Sequence, residues 1–218
     1  MLKYLSSLPD VVGRIVDLPP RIDVLRKAGL FDPIRPDEGL RSILAVRKLG
    51  PVAGAAQIAA RREPGVAAIV DEAGTVTYGE LDHDSNALAR AWVKRGLGPS
   101  SVIGVLCRDH RWLVLCMVAA AKLGARLLLM NTGFSRPQLG DVARREGVSA
   151  LVYDQEFTEL LSAVSEDVPR FLAWHEEPSD VPTLADVVTE TSGAAVPNPP
   201  SAGGIILLTS GTTGTPKG

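Results

Sequence analysis

Residues 209–218 read Thr209-Ser210-Gly211-Thr212-Thr213-Gly214-Thr215-Pro216-Lys217-Gly218, and their side chains are those that hold phosphate. Glycine lets a backbone approach an anion closely and take positive φ. Backbone N–H groups and the hydroxyls of Thr209, Ser210, Thr212 and Thr213 can each donate to phosphate oxygens. Lys217 adds a mobile point charge suited to a terminal phosphate. A short apolar run, 205–208, precedes the loop, as expected of a strand that delivers it. The pattern is not G-x-x-x-x-G-K-[ST], because Gly211 and Gly214 are three apart, Pro216 precedes the lysine and Gly218 follows it. Pro216 also argues against a helix running through Lys217. The plainer alternative for such a composition is a Gly/Thr-rich tail beyond the last strand.

The order T-S-G-T-T-G-x-P-K-G closely resembles the phosphate loop of the adenylate-forming superfamily, which includes acyl-CoA synthetases, aryl-CoA ligases, luciferases and peptide-synthetase adenylation domains. A looser resemblance runs upstream from about residue 52. Thr77-Tyr78-Gly79-Glu80-Leu81 and Ser85-Asn86-Ala87-Leu88-Ala89 look like the family's TYxEL…SNxLA segment. Lys122-Leu123-Gly124-Ala125 with Leu129-Met130-Asn131 looks like its GAxxxPLN segment, without the usual proline. Cys107-Arg108-Asp109-His110-Arg111 and Met130-Asn131-Thr132-Gly133-Phe134 are most similar to the bacterial fatty-acyl-CoA ligase branch.

The resemblance implies an enzyme in which ATP and a fatty acid give an acyl-adenylate and pyrophosphate, with the acyl group then passing to coenzyme A. It implies that Thr209, Ser210, Gly211, Thr212, Thr213, Gly214, Lys217 and Gly218 meet the ATP phosphates, and that Mg2+ shields them. The adenine and ribose sites, the far wall of the acyl tunnel and the adenylating lysine of this family normally follow the loop. The resemblance therefore implies an incomplete N-terminal part of the large domain, inactive when alone. Two other readings stay open: an adenylating enzyme with a different acceptor, such as a fatty-acyl-AMP ligase, and a non-catalytic product acting as an interaction segment.

Composition fits that reading. The chain has 218 residues, 45% of them hydrophobic, and a formal net charge of −2, which gives no general pull towards nucleic acid. Cys107 and Cys116 lie in apolar surroundings and read as reduced core thiols, with no zinc spacing of Cys and His around them. The longest apolar run, 112–121, is too short to span a bilayer, and residues 1–8 do not read as a signal peptide. The expected location is the cytoplasm, at most peripheral to the inner membrane surface.

The elements that must position the loop follow from periodicity and punctuation. Residues 1–50, cut by Pro9, Pro19, Pro20, Pro33 and Pro36, read as a helical extension, and residues 51–218 as the phosphate-binding domain. The extension's basic, weakly amphipathic stretch around Leu40, Arg41, Ile43 and Leu44 fits either a membrane surface or the domain's flank. Strands at 66–70 and 75–77 form a hairpin, and Thr77 with Glu80 caps the next helix. Asp109 is expected to cap a helix over 110–123, and Ser135 with Gln138 another that ends at Gly147. Strands are expected at 102–106, 127–130, 150–153 and 170–174, with helices near 156–165 and 183–189. This β-α alternation predicts an α/β fold, a partly parallel sheet flanked by helices.

Other reactive residues carry less. Asp109 and His110 could form an acid–base pair but read better as a cap and a cleft-rim residue. His83, between Asp82 and Asp84, reads as a solvated face, and His175 as a strand end. Lys122 and Arg126 flank a core helix and are expected to hydrogen-bond its C-terminus. Ser210 is not in G-x-S-x-G, so no hydrolase elbow is present.

Overall fold

The computed structural model describes residues 36–208. Two compact units are present, Met1–Leu44 and Ala45–Gly218. In the first, the described residues are helical and held locally: Arg41 reaches Asp37 at 3.9 Å and Glu38 at 3.6 Å, and Ser42 Oγ donates to the Glu38 carbonyl at 2.8 Å. They belong to helix α1, Pro36–Arg62, which bends at Gly50 (φ 77°, ψ 174°) ahead of Pro51. A proline in a helix interior removes one ladder bond and pushes the residue before it away from helical angles.

The second unit is an α/β fold. Strands β1 (Ala67–Asp71) and β2 (Gly74–Thr77) form an antiparallel hairpin. Then follow α2 (Tyr78–Lys94), β3 (Val102–Leu106), α3 (Arg111–Leu123), β4 (Arg126–Leu129), α4 (Arg136–Glu146) and β5 (Ala150–Tyr153). A 3-10 helix, Gln155–Ala163, leads to β6 (Arg170–Leu172), α5 (Leu184–Thr189) and β7 (Gly204–Leu207). The expected helix near 156–165 is thus a tighter 3-10 helix. The five-stranded sheet has the order β6-β5-β3-β4-β7, and every neighbouring pair is parallel.

The sheet's central strands read as unbroken apolar runs because both faces are covered. Successive side chains alternate between two cores. Ile103, Val105, Leu127, Ala150, Val152 and Phe171 face a cluster completed by α2, α3 and α5. Val102, Leu106, Leu128, Leu151, Tyr153 and Leu172 face a second, completed by α4 and the 3-10 helix. Among the described residues no helix is long and apolar enough to cross a membrane.

Local signals set the helix ends. The Thr77 N–H donates to Glu80 Oε2 at 2.7 Å while Glu80 N–H donates to Thr77 Oγ1 at 3.2 Å, closing a reciprocal cap. The Ser135 N–H donates to Gln138 Oε1 at 2.9 Å, and α4 stops at Gly147 in the left-handed region. Gly124 ends α3 at φ 74°, and a Cβ there would come within 2.7 Å of Pro199 Cβ. A Cβ on Gly203 would collide with the Ala125 carbonyl oxygen. These two glycines let the 191–203 segment lie against the start of β4, which sets β7 beside it.

Contrary to the expectation from its position, Lys122 does not bond the end of its own helix. It crosses to α2, where Nζ donates to the Asp82 carbonyl (2.9 Å), Asp82 Oδ1 (2.8 Å) and Ser85 Oγ (2.8 Å). Burial pushes its ammonium below the usual lysine range, and the Asp82 carboxylate works against that shift. A lysine beside a buried helix face can meet its need for acceptors only across the packing interface.

Candidate functional site at the carboxyl edge of the sheet

In a parallel sheet all strands finish at one edge, so the residues following each strand share one surface. Adjacent strands whose continuations leave to opposite faces open a crevice there. β3 and β5 do this: β3 feeds α3 on the first core, and β5 feeds the 3-10 helix on the second. Between them lies a cavity of about 710 Å³, lined in part by Arg108, His110, Asp154, Glu156 and Trp174.

Asp154 is the hub of this crevice. Its side chain is 4% exposed and that of His110 is 8% exposed. Oδ2 accepts the Arg108 backbone N–H at 2.7 Å, and Oδ1 lies 2.9 Å from His110 Nε2. His110 Nδ1 in turn accepts the Trp112 backbone N–H at 3.2 Å. Facing an N–H, Nδ1 must present its lone pair, so in the neutral ring Nε2 carries the proton and donates it to Asp154. The imidazole stacks on Trp174 with ring centroids 5.2 Å apart. His110, not Asp109, is therefore the cap of α3, and its carboxylate partner is Asp154, 44 residues away. The expected cap at Asp109 fails, and the less favoured Asp109–His110 pair does not form, because residue 110 is extended (φ −146°, ψ 179°) and turns its ring inward.

Cys107 completes a group of three potential metal ligands: one ligand atom each from Cys107, His110 and Asp154 all lie within 4.8 Å of one another. The 107/110/154 spacing gave no sign of this cluster. Burial, then the Asp154 charge, push the Cys107 thiol well above the usual range, so it stays protonated at neutral pH. Both His110 nitrogens are committed, and a metal on Nε2 would require an Nδ1–H pointing at the Trp112 N–H. The group is a closed hydrogen-bonded staple joining β3, β5 and α3.

A second tie holds the β1–β2 hairpin to the same helix. Asp71 Oδ2 accepts the Arg111 backbone N–H at 2.9 Å, while Arg111 Nη2 meets Oδ1 at 2.5 Å. The Arg111 side chain holds the Asp71 carboxyl down to about 2, and the carboxylate also faces the positive end of α3. On the exposed rim Arg108 pairs with Glu156. His83 is a solvent-facing partner of Asp84, at 2.9 Å.

The other end of the carboxyl edge is different in character. β7 is bonded to β4 in the register Arg126↔Gly204 to Leu129↔Leu207. Ile206 and Leu208 pack into the second core, whereas Ile205 and Leu207 are 40% and 63% exposed. After β4, Asn131 Oδ1 accepts the Gly133 N–H at 2.8 Å in a tight turn. The expected phosphate contacts Thr209, Ser210, Gly211, Thr212, Thr213, Gly214, Lys217 and Gly218 lie outside the described residues, directly after this strand. The described residues run to the carboxyl end of β7, which precedes the loop in sequence, and the structure brings together at the crevice residues that spacing did not link. Asp154, Asp71 and Trp174 were missed. The available signal was positional: Asp154 and Cys107 each directly follow an apolar run.

The family profile described as AMP-binding enzyme matches residues 56–218. The chain belongs to the AMP-binding enzyme family. Nonribosomal peptide synthetase sidD of Aspergillus fumigatus is 29% identical over 73% of this chain, which spans 7% of that protein. Fatty acid–[acyl-carrier-protein] ligase ScoC of Streptomyces coeruleorubidus is 28% identical over 73% of this chain and 30% of its own length. The fold matches that of the anthranilate CoA ligase AuaEII, solved with anthranoyl-AMP, at a TM-score of 0.65 and 20% identity, over 74% of this chain and 33% of that one. This AMP-binding family member therefore has the α/β fold of the N-terminal part of an adenylate-forming large domain, and it spans a third or less of those proteins.

Proposed function

We propose that this chain supplies the phosphate-binding part of an enzyme that uses ATP to activate a fatty acid and passes the acyl group to coenzyme A. One observation carries the reading: Thr209-Ser210-Gly211-Thr212-Thr213-Gly214-Thr215-Pro216-Lys217-Gly218 follows a parallel strand at the sheet's carboxyl edge, in a family defined by AMP binding. A carboxylate oxygen attacks the α-phosphorus, the bond to the β-phosphate oxygen breaks, and pyrophosphate leaves. The protein's part is positioning and charge neutralisation. The hydroxyls of Thr209, Ser210, Thr212 and Thr213 and the backbone N–H groups at Gly211, Gly214 and Gly218 donate to phosphate oxygens, and Lys217 meets the charge that develops on pyrophosphate. Mg2+ shields the triphosphate when bound. The compartment that goes with this reading is the cytoplasm, where ATP and coenzyme A are at hand.

A carrier-protein thiol is the second reading for the acceptor, favoured by the similarity to a ligase named for an acyl carrier protein and to a peptide synthetase. The test is ATP–pyrophosphate exchange by the protein purified from its source with all sequence that accompanies these residues. Exchange stimulated by fatty acids, and lowered about 100-fold by Lys217→Ala, is the expected result. Exchange driven by amino or aromatic acids but not fatty acids would overturn the substrate assignment, and no acid-dependent exchange would overturn the whole reading. Release of the product by coenzyme A or by a loaded carrier protein separates the two acceptors.

A further inference from the structure

Away from the carboxyl-edge crevice, a cavity of about 400 Å³ lies between the 3-10 helix and the ends of β5 and β6, lined in part by Tyr153, Leu161, Val164, Glu166, Arg170 and Val181. Its polar groups are underused. Arg170 Nη2 donates to the Leu161 carbonyl (3.2 Å) and the Val164 carbonyl (3.0 Å), tying down the end of the 3-10 helix. Its Nε–H is sealed from solvent with no acceptor. Nη1 also has no acceptor among the described residues, and it is not sealed from solvent as Nε is. Arg170 has no carboxylate within ion-pairing distance among the described residues, although Glu166 lines the same cavity. Tyr153 is only 3% exposed, yet its hydroxyl has no hydrogen-bond partner among the described residues. A half-buried guanidinium without a counter-charge is costly unless an acceptor completes it, and the Tyr153 hydroxyl, on the lining of the same cavity, is free to donate.

We propose that this cavity binds a small monocarboxylate, its oxygens held by Arg170 and the Tyr153 hydroxyl and its apolar body against Leu161, Val164 and Val181. A guanidinium and a hydroxyl donate side by side to a carboxylate. Glu166 sets the charge, because a dianion such as phosphate would face a carboxylate across the cavity where a monoanion with an apolar body need not. The cavity is separate from the nucleotide end. β5 and β7 are three strand spacings apart in the order β6-β5-β3-β4-β7, which is about 14 Å at roughly 4.8 Å each. A short acid bound here acts as a ligand, not as the reacting acid.

The test is a nitrogen–proton NMR titration of the 218-residue chain with sodium butyrate, sodium phosphate and sodium chloride at matched ionic strength. Butyrate should give saturable shifts at the Arg170 Nε–H and at the amides of Tyr153 and Arg170, half complete at about 1–10 mM. Tyr153→Phe keeps the ring and should weaken binding about 10-fold, and Arg170→Gln should abolish it. If Arg170→Gln unfolds by circular dichroism, Tyr153→Phe decides alone. Linear shifts, shifts matched by chloride, or butyrate affinity unchanged in Tyr153→Phe would overturn the site. Phosphate binding as tightly as butyrate would overturn the monocarboxylate.

Discussion

The two ends of one sheet edge are built for opposite purposes. At the β3–β5 crevice the described polar atoms satisfy one another: Asp154 takes the Arg108 and His110 N–H groups, and His110 takes the Trp112 N–H. At the β4–β7 end the strand is half bare, with Leu207 63% exposed, and the sequence beyond it offers hydroxyls, glycines and a lysine. A polar cluster that closes on itself stabilises, whereas hydroxyls, glycines and a lysine in one short run are, as residue types, suited to a phosphate ligand. The largest expected effect breaks the first of these. Asp154→Ala removes the buried acceptor, 4% exposed, of two N–H donors and should lower stability by about 3 kcal/mol. The ATP–pyrophosphate exchange proposed for the protein with all its accompanying sequence should persist, per folded molecule, at low temperature. Lys217→Ala should do the reverse, losing activity with an unchanged melt. An Asp154→Ala variant that melts normally but loses activity would make the crevice catalytic and end the contrast.

The same contrast explains what could be read from residues alone. Local signals were legible: the Thr77/Glu80 cap, the stops at Gly124 and Gly147, and the alternation of apolar runs with helices are all decided within a few residues. The family was legible too, because its motif is written contiguously within the matched residues 56–218. The crevice was not. His110 and Asp154 meet only because β5 inserts on the far side of β3 from β4, and strand order is a tertiary property. Lys122 failed for the same reason, since its acceptors lie on α2, 37 and 40 residues away in sequence. Expecting Asp109 as the cap followed propensity, which favours aspartate over histidine, but the inward turn of residue 110 gave histidine the position.

A middle-sized effect sharpens the contrast through pH. Asp71 anchors the hairpin to α3, and its carboxyl titrates at about 2 against an ordinary 3.8. A group whose folded value is depressed contributes stability above its unfolded value and loses it as pH falls through the folded one. Asp71 should therefore contribute up to about 2 kcal/mol at pH 5–7, falling away between about pH 4 and pH 2. Urea midpoints of the wild type and Asp71→Asn should differ clearly at pH 6 and converge near pH 2. A gap that persists at pH 2 would mean that the carboxylate charge is not what holds the hairpin.

The smallest expected effect lies on the rim of the crevice, where Arg108 pairs with Glu156 with the two side chains 68% and 43% exposed. Geometry alone makes this pair look as strong as the Asp71–Arg111 tie, since both are close and two-pronged. Solvent separates them: water screens the rim pair and competes for its hydrogen bonds, while Asp71 and Arg111 are largely covered. The Arg108 backbone N–H, which does bind Asp154, survives any side-chain change. Arg108→Ala should therefore shift the melting temperature by less than about 2 °C, and salt should shrink even that difference. A loss comparable to that of Asp154→Ala would extend the staple outward to the rim. It would also make the side chain, not the backbone, the part of Arg108 that holds the crevice closed.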